Sequence, residues 1–65
     1  MKKVRVKVSL KRENGQVGTE VFETMADNSI INKSTGVTSR QELAPWAKAF
    51  FPKAEWVQVL SIQVL

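Results

Sequence analysis

Along residues 2–11, Lys-Lys-Val-Arg-Val-Lys-Val-Ser-Leu-Lys, apolar and polar side chains alternate with a period of two. That period predicts a β-strand with Val4, Val6, Val8 and Leu10 on one face and Lys3, Arg5, Lys7 and Lys11 on the other. Asn14-Gly15 follows, a dipeptide suited to a tight hairpin turn because it tolerates positive φ, and a second strand-like run extends from Val17 to Met25. Two registers compete. A two-residue turn sets Val8 opposite Val21 and Val6 opposite Glu23, and places Phe22 beside Lys7. A three-residue loop with Gly15 in a bulge sets Val6 opposite Phe22, Arg5 opposite Glu23 and Glu20 opposite Val8. Neither satisfies every residue, so a bulge is expected at Gly18 or next to the turn.

Ala26-Asp27-Asn28-Ser29 reads as a turn, Ile30-Ile31 as a brief strand or a buried plug, and Lys33-Ser34-Thr35-Gly36 as a second turn. The period then changes. Ser39 with Glu42, or Thr38 with Gln41, has the spacing of a capping box. Leu43, Trp46 or Ala47, and Phe50 recur at helical spacing, which predicts a helix of about three turns. Pro45 costs roughly 3 kcal/mol deep inside a helix but is welcome at the first helical position. The pattern therefore predicts either a separate helical turn over residues 39–44 or a kink, with Pro52 closing the element.

From Glu55 to Leu65 the chain reads as a strand with Trp56, Leu60, Ile62 and Val64 on one face and Val57, Val59 and Leu65 on the other. Two partly apolar faces are the mark of a central strand covered on both sides. The expected fold is a single α+β domain over residues 1–65. It has two layers, one helix on a small three- to four-stranded, mainly antiparallel sheet, in the order β-β-(short β)-α-β with the last strand beside the first.

A chain of 65 residues without cysteine or histidine has neither disulfides nor the usual zinc ligands to compensate for a small core. Packing or oligomerisation must supply the stability. One helix covers one sheet face, so Val57, Val59 and Leu65 are expected to meet a second copy, in a homodimer formed through the sheet face or by strand-edge pairing. No uninterrupted apolar stretch suggests a signal peptide or a membrane span, and a cytoplasmic protein without membrane contact is the expectation.

The net charge of +4 is concentrated. Lys2, Lys3, Arg5, Lys7, Lys11 and Arg12 are the only charges in the first twelve residues, whereas the rest of the chain has four bases against six acids. A localised basic stripe either keeps a strand edge from pairing or meets an anionic partner. Lys3, Arg5, Lys7 and Lys11, with Phe22 as a stacking group, form the candidate contact set for phosphates or an acidic protein. A second, weaker anion site is Lys33, Thr38, Ser39 and Arg40 at a helix entrance, where simple capping is a sufficient explanation.

Catalysis has little to work with. Histidine, cysteine and tyrosine are absent, and Glu42 already has a capping role. No catalytic residue, cofactor or metal is assigned. The reading is a non-catalytic macromolecular-interaction module acting on protein, itself included, with sequence-tolerant nucleic-acid binding as the alternative. An inhibitor that presents the basic strand to an acidic protein surface is a third use of the same residues.

Overall fold

The computed structural model describes the backbone of residues 1–65 and every side chain except those of Val37 and Thr38. Three strands, β1 (Lys2–Lys11), β2 (Val17–Ala26) and β3 (Trp56–Val64), form one antiparallel sheet in the order β2-β1-β3. Between β2 and β3 lie three short helices, α1 (Asn28–Lys33), α2 (Val37–Gln41) and α3 (Ala44–Lys48), which pack on one sheet face. The α+β class holds, but no fourth strand forms. Among the described residues no helix is long and apolar enough to cross a membrane.

Alternation in β1 does what its period dictates. Val4, Val6, Val8 and Leu10 are buried in the core, and Lys3, Arg5 and Lys7 point to the opposite, exposed face. The hairpin uses the three-residue loop Glu13-Asn14-Gly15. Arg12 N–H donates to the Gln16 carbonyl at 2.7 Å, and Gly15 N–H donates to the Arg12 carbonyl at 2.9 Å. Gly15 supplies the φ of +88° that this loop needs. Val6 therefore stands opposite Phe22 and Arg5 opposite Glu23.

Gly18 is not a bulge; it pairs regularly with Leu10. Its missing side chain serves the charge that this register brings to the core side. Glu20 stands opposite Val8, and Arg12 reaches across Gly18 to bind its carboxylate at 2.7 Å. A Cβ at Gly18 would sit 3.0 Å from the Arg12 guanidinium.

Ile30 and Ile31 are helical rather than extended, because Asp27 caps α1. Its carboxylate accepts from the Ile30 N–H at 3.0 Å and from the Ser29 hydroxyl at 2.8 Å. These bonds, the Ile30 amide first, hold the Asp27 carboxyl below the usual aspartate value. A carboxyl lowered in the folded state contributes stability above its unfolded value and loses it as pH falls through the folded value. Asp27→Ala should accordingly lower the melting temperature at neutral pH. The difference from the parent should shrink as the pH is taken below the ordinary carboxylate range, a comparison that thermal unfolding by circular dichroism can make. A gap unchanged by acid would show that the cap does not depend on the ionised carboxyl.

The expected three-turn helix is divided. Gly36, not Ser39 or Thr38, is the N-cap of α2, without a side-chain bond, and Glu42 closes that helix. A new helix starts at Ala44 with Pro45 in its first turn, where the absent N–H breaks no bond. Leu43 sits at the junction, 1% exposed, and its carbonyl accepts from Ala47 N–H at 2.9 Å. Glu42 is not used as a capping partner; it pairs with Lys33 at 3.6 Å.

The last strand departs most from expectation. It is an edge strand, and its pairing with β1 slips by one residue: Lys7 stands opposite Ser61 and Val8 opposite Val59, leaving Leu60 as a bulge. Val57 and Val59 precede the bulge and Ile62 follows it, yet all three point to the same helix-covered face. Val57 is 4% and Val59 2% exposed, with α3 packed against β3. These two valines are covered by the chain's own helices rather than lying on an open face, and of the three residues expected to meet a second copy only Leu65 is exposed.

Candidate interaction surface

All three helices lie on the side of Val6, so among the described residues nothing covers the other sheet face. β1 is the central strand, and its basic side chains form the middle row of this open face. A strand with neighbours on both sides has no edge to protect, so that role for the basic stripe falls away. Cross-strand register sets the flanking rows. Met25, Glu23, Val21, Thr19 and Val17 of β2 stand opposite Lys3, Arg5, Lys7, Ser9 and Lys11. On the other flank Gln63, Ser61, Gln58 and Trp56 of β3 stand opposite Arg5, Lys7, Ser9 and Lys11.

The aromatic residues exchange the places expected of them. The three-residue loop turns Phe22 to the inner face, where its ring lies 4.8 Å from Phe50, 5.4 Å from Phe51 and 6.5 Å from Trp46 between centroids. It is not beside Lys7 and has no stacking role on the basic face. Trp56, expected to share a face with Ile62 and Val64, instead stands opposite Lys11 on the open face and is 40% exposed, and Phe50 is exposed at the rim of the inner cluster. Val21 and Met25 are about half exposed on the open face. The signal for Trp56 is parity: with Val57 buried, its neighbour must point the other way.

Much of the row's charge is internally matched. Glu23 accepts from Arg5 at 3.0 Å and has Lys3 at 3.6 Å, while Glu55 lies 3.2 Å from Lys11. The hydrogen bond from Arg5 holds the Glu23 carboxyl below the usual glutamate value, with Lys3 pulling the same way more weakly. Among the described residues, no carboxylate lies within ion-pair distance of Lys7, which sits between Val21 and Ser61. The face thus combines one cation without a described partner, a row of exposed ion pairs, and apolar side chains at Val17, Val21, Met25 and Trp56 set among the polar residues of the flanks.

The second candidate cluster is weaker in the structure than in the sequence. Lys33 is occupied by Glu42, Ser39 and Arg40 are half-buried in α2, and the side chain of Thr38 lies outside the described residues. A five-residue helix is also too short to offer much of a dipole. Leu65 donates its N–H to the Lys3 carbonyl at 2.9 Å and extends the β3 ladder, half-exposed at the end of the sheet. Shallow depressions also mark the surface, one against Arg12, Phe51 and Lys53 and another between Pro45, Lys48 and Trp56. Neither gathers polar groups that would fix a small ligand.

No protein-family model, curated protein or solved structure matches this chain.

Proposed function

We propose that the chain is a non-catalytic protein-interaction module that uses its uncovered sheet face and the adjoining strand edge. The observation that carries this reading is the composition of that face, with Val17, Val21 and Met25 exposed on one flank and Trp56 on the other, around a cationic row, and Leu60 exposed at the adjoining β3 edge. Exposed apolar groups on a continuous, uncovered sheet favour a protein surface, and the ion pairs within the row lend register rather than affinity. The same pairs weigh against the nucleic-acid alternative. Lys3, Arg5 and Lys11 must exchange their carboxylates for phosphates, and within the row, among the described residues, only Lys7 has no carboxylate at ion-pair distance.

Two measurements separate the readings. Anisotropy of labelled single- and double-stranded oligonucleotides should show weak binding at low salt, a shallow log–log slope, and none at physiological salt. Photo-cross-linkers placed singly at Leu60 and Met25 in the producing cell should yield discrete protein adducts, whereas one at Asn14 in the hairpin loop should not. Oligonucleotide binding that persists at physiological salt with a slope of several counterions, without protein adducts, would replace the protein reading by the nucleic-acid one.

A further inference from the structure

The two edges of the sheet differ. β3 carries its bulge at Leu60, which interrupts any further ladder, whereas β2 pairs with β1 without a break from Val17 to Ala26. Free edges are normally blunted by a bulge, a proline, an unpaired charge or brevity. β2 has ten residues and no proline, and both of its acids are already neutralised, Glu20 by Arg12 and Glu23 by Arg5.

The direction of its free backbone groups follows from the hairpin. Arg12 and Gln16 form a hydrogen-bonded pair, so by alternation Gly18, Glu20, Phe22 and Thr24 turn their N–H and C=O toward β1. Val17, Thr19, Val21, Glu23 and Met25 turn theirs outward, to an edge that no strand of the chain occupies. Their side chains are the β2 flank of the open face.

We propose that this edge pairs with the same edge of a second copy, antiparallel about a two-fold axis at Val21, to give a continuous six-stranded sheet. The inference rests on the protein-interaction reading and names its surface and partner. Only outward-facing residues can exchange hydrogen bonds across such a seam, and residues directly opposite must share a face. An axis at Val21 meets both conditions and matches chemistry as well: Val21 faces Val21, and Val17 faces Met25, so the apolar flanks merge. Thr19 faces Glu23, and no like charges are directly opposed. On the inner face Glu20, neutralised by Arg12, meets Phe22 of the second copy.

Other axes match less well. An axis at Phe22 sets Val21 against Glu23 and Met25 against Thr19, and one at Glu23 opposes two carboxylates. Packing the open faces against each other would confront two rows of lysine and arginine. An edge seam buries less than a standard interface, so the dimer belongs to the class that dissociates on dilution.

Sedimentation equilibrium of the full chain from micromolar to millimolar, with amide exchange followed by NMR over the same range, tests the pairing. A reversible dimer is expected, with the amides of Thr19, Val21 and Glu23 becoming protected as concentration rises while Phe22 stays protected throughout. Val21→Pro removes the N–H at the axis without breaking a bond to β1 and should weaken dimerisation roughly tenfold or more. Val21→Lys, which opposes two cations at the axis, should do the same and guards against a folding defect in the proline variant. A monomer at millimolar concentration overturns the pairing. So does a dimer whose Thr19, Val21 and Glu23 amides exchange freely and which both variants leave intact, although that result upholds the wider protein-interaction reading. Monomers that still give adducts with other proteins at Leu60 and Met25 likewise overturn the pairing and keep the wider reading. Monomers without adducts overturn both.

Discussion

Leu43→Ala should consume most of the stability of this domain. Leu43 is the largest side chain that is fully buried, and it joins two helices of five residues each. Helices so short have no stability of their own; they exist because packing holds them. Leu43 anchors the end of α2 and the start of α3 in the buried cluster that also holds the valines of β1 and β3. Removing a buried leucine side chain costs about 2–5 kcal/mol, depending on how far the site collapses. A domain of 65 residues has on the order of 3–10 kcal/mol in total, and this one has no disulfide to add to it. Urea denaturation should therefore show the midpoint falling by roughly half or more, with heat unfolding the variant near physiological temperature. Leu43→Met, which conserves volume, should cost less than about 1.5 kcal/mol. If both substitutions behave alike, Leu43 is not the point at which the helical layer is held.

What the sequence reveals and what it conceals divide along one line. Patterns that alternate cleanly were legible: the face assignment of β1 follows from its period, and Gly15 in a three-residue loop was one of two open registers for the hairpin. The choice between them was hidden because Glu20 faces the core side in the observed register, an apparent error that Arg12 corrects by crossing Gly18. A contact between residues eight apart around a turn has no signature in alternation. Ile30-Ile31 was ambiguous for a related reason: two β-branched residues suit a strand, but Asp27 supplies a cap that outweighs that preference.

The candidate site was legible in its cations and not in its surroundings. Lys3, Arg5, Lys7 and Lys11 do share an exposed face, as their spacing requires. Whether that face belongs to an edge or a central strand depends on where the last strand pairs, and so does the meaning of the charge. Phe22 and Trp56 exchanged places because each follows the parity of its strand. One unresolved register and one hidden bulge were enough to invert both.

The bulge itself supplies the second large prediction. Lys7 and Leu60 lie at the same level of the sheet, yet their deletion should have opposite outcomes. Deleting Leu60 removes the unpaired residue and leaves Val57, Val59, Ile62 and Val64 in simple alternation, all still directed to the core face. The variant should fold, with stability within about 1–2 kcal/mol of the parent, a cost no larger than an ordinary substitution. Deleting Lys7 joins Val6 to Val8 in the central strand. Val4 and Val6 can then remain inside only if Val8 and Leu10 turn outward, or the reverse, and Ser9 or Arg5 is carried into the core. Exposing two aliphatic side chains forfeits roughly 3–6 kcal/mol before the buried polar group is counted, comparable with the whole stability of the domain. A compensating bulge offers little relief, because in a central strand it disrupts the ladders to β2 and β3 together, whereas at the edge it disrupts one. Far-UV circular dichroism and proton–nitrogen correlation spectra should show a folded chain without Leu60 and an unfolded one without Lys7. If the chain without Leu60 unfolds as well, the bulge is not an extra residue laid over a regular strand, and the core face of β3 depends on the bulge itself.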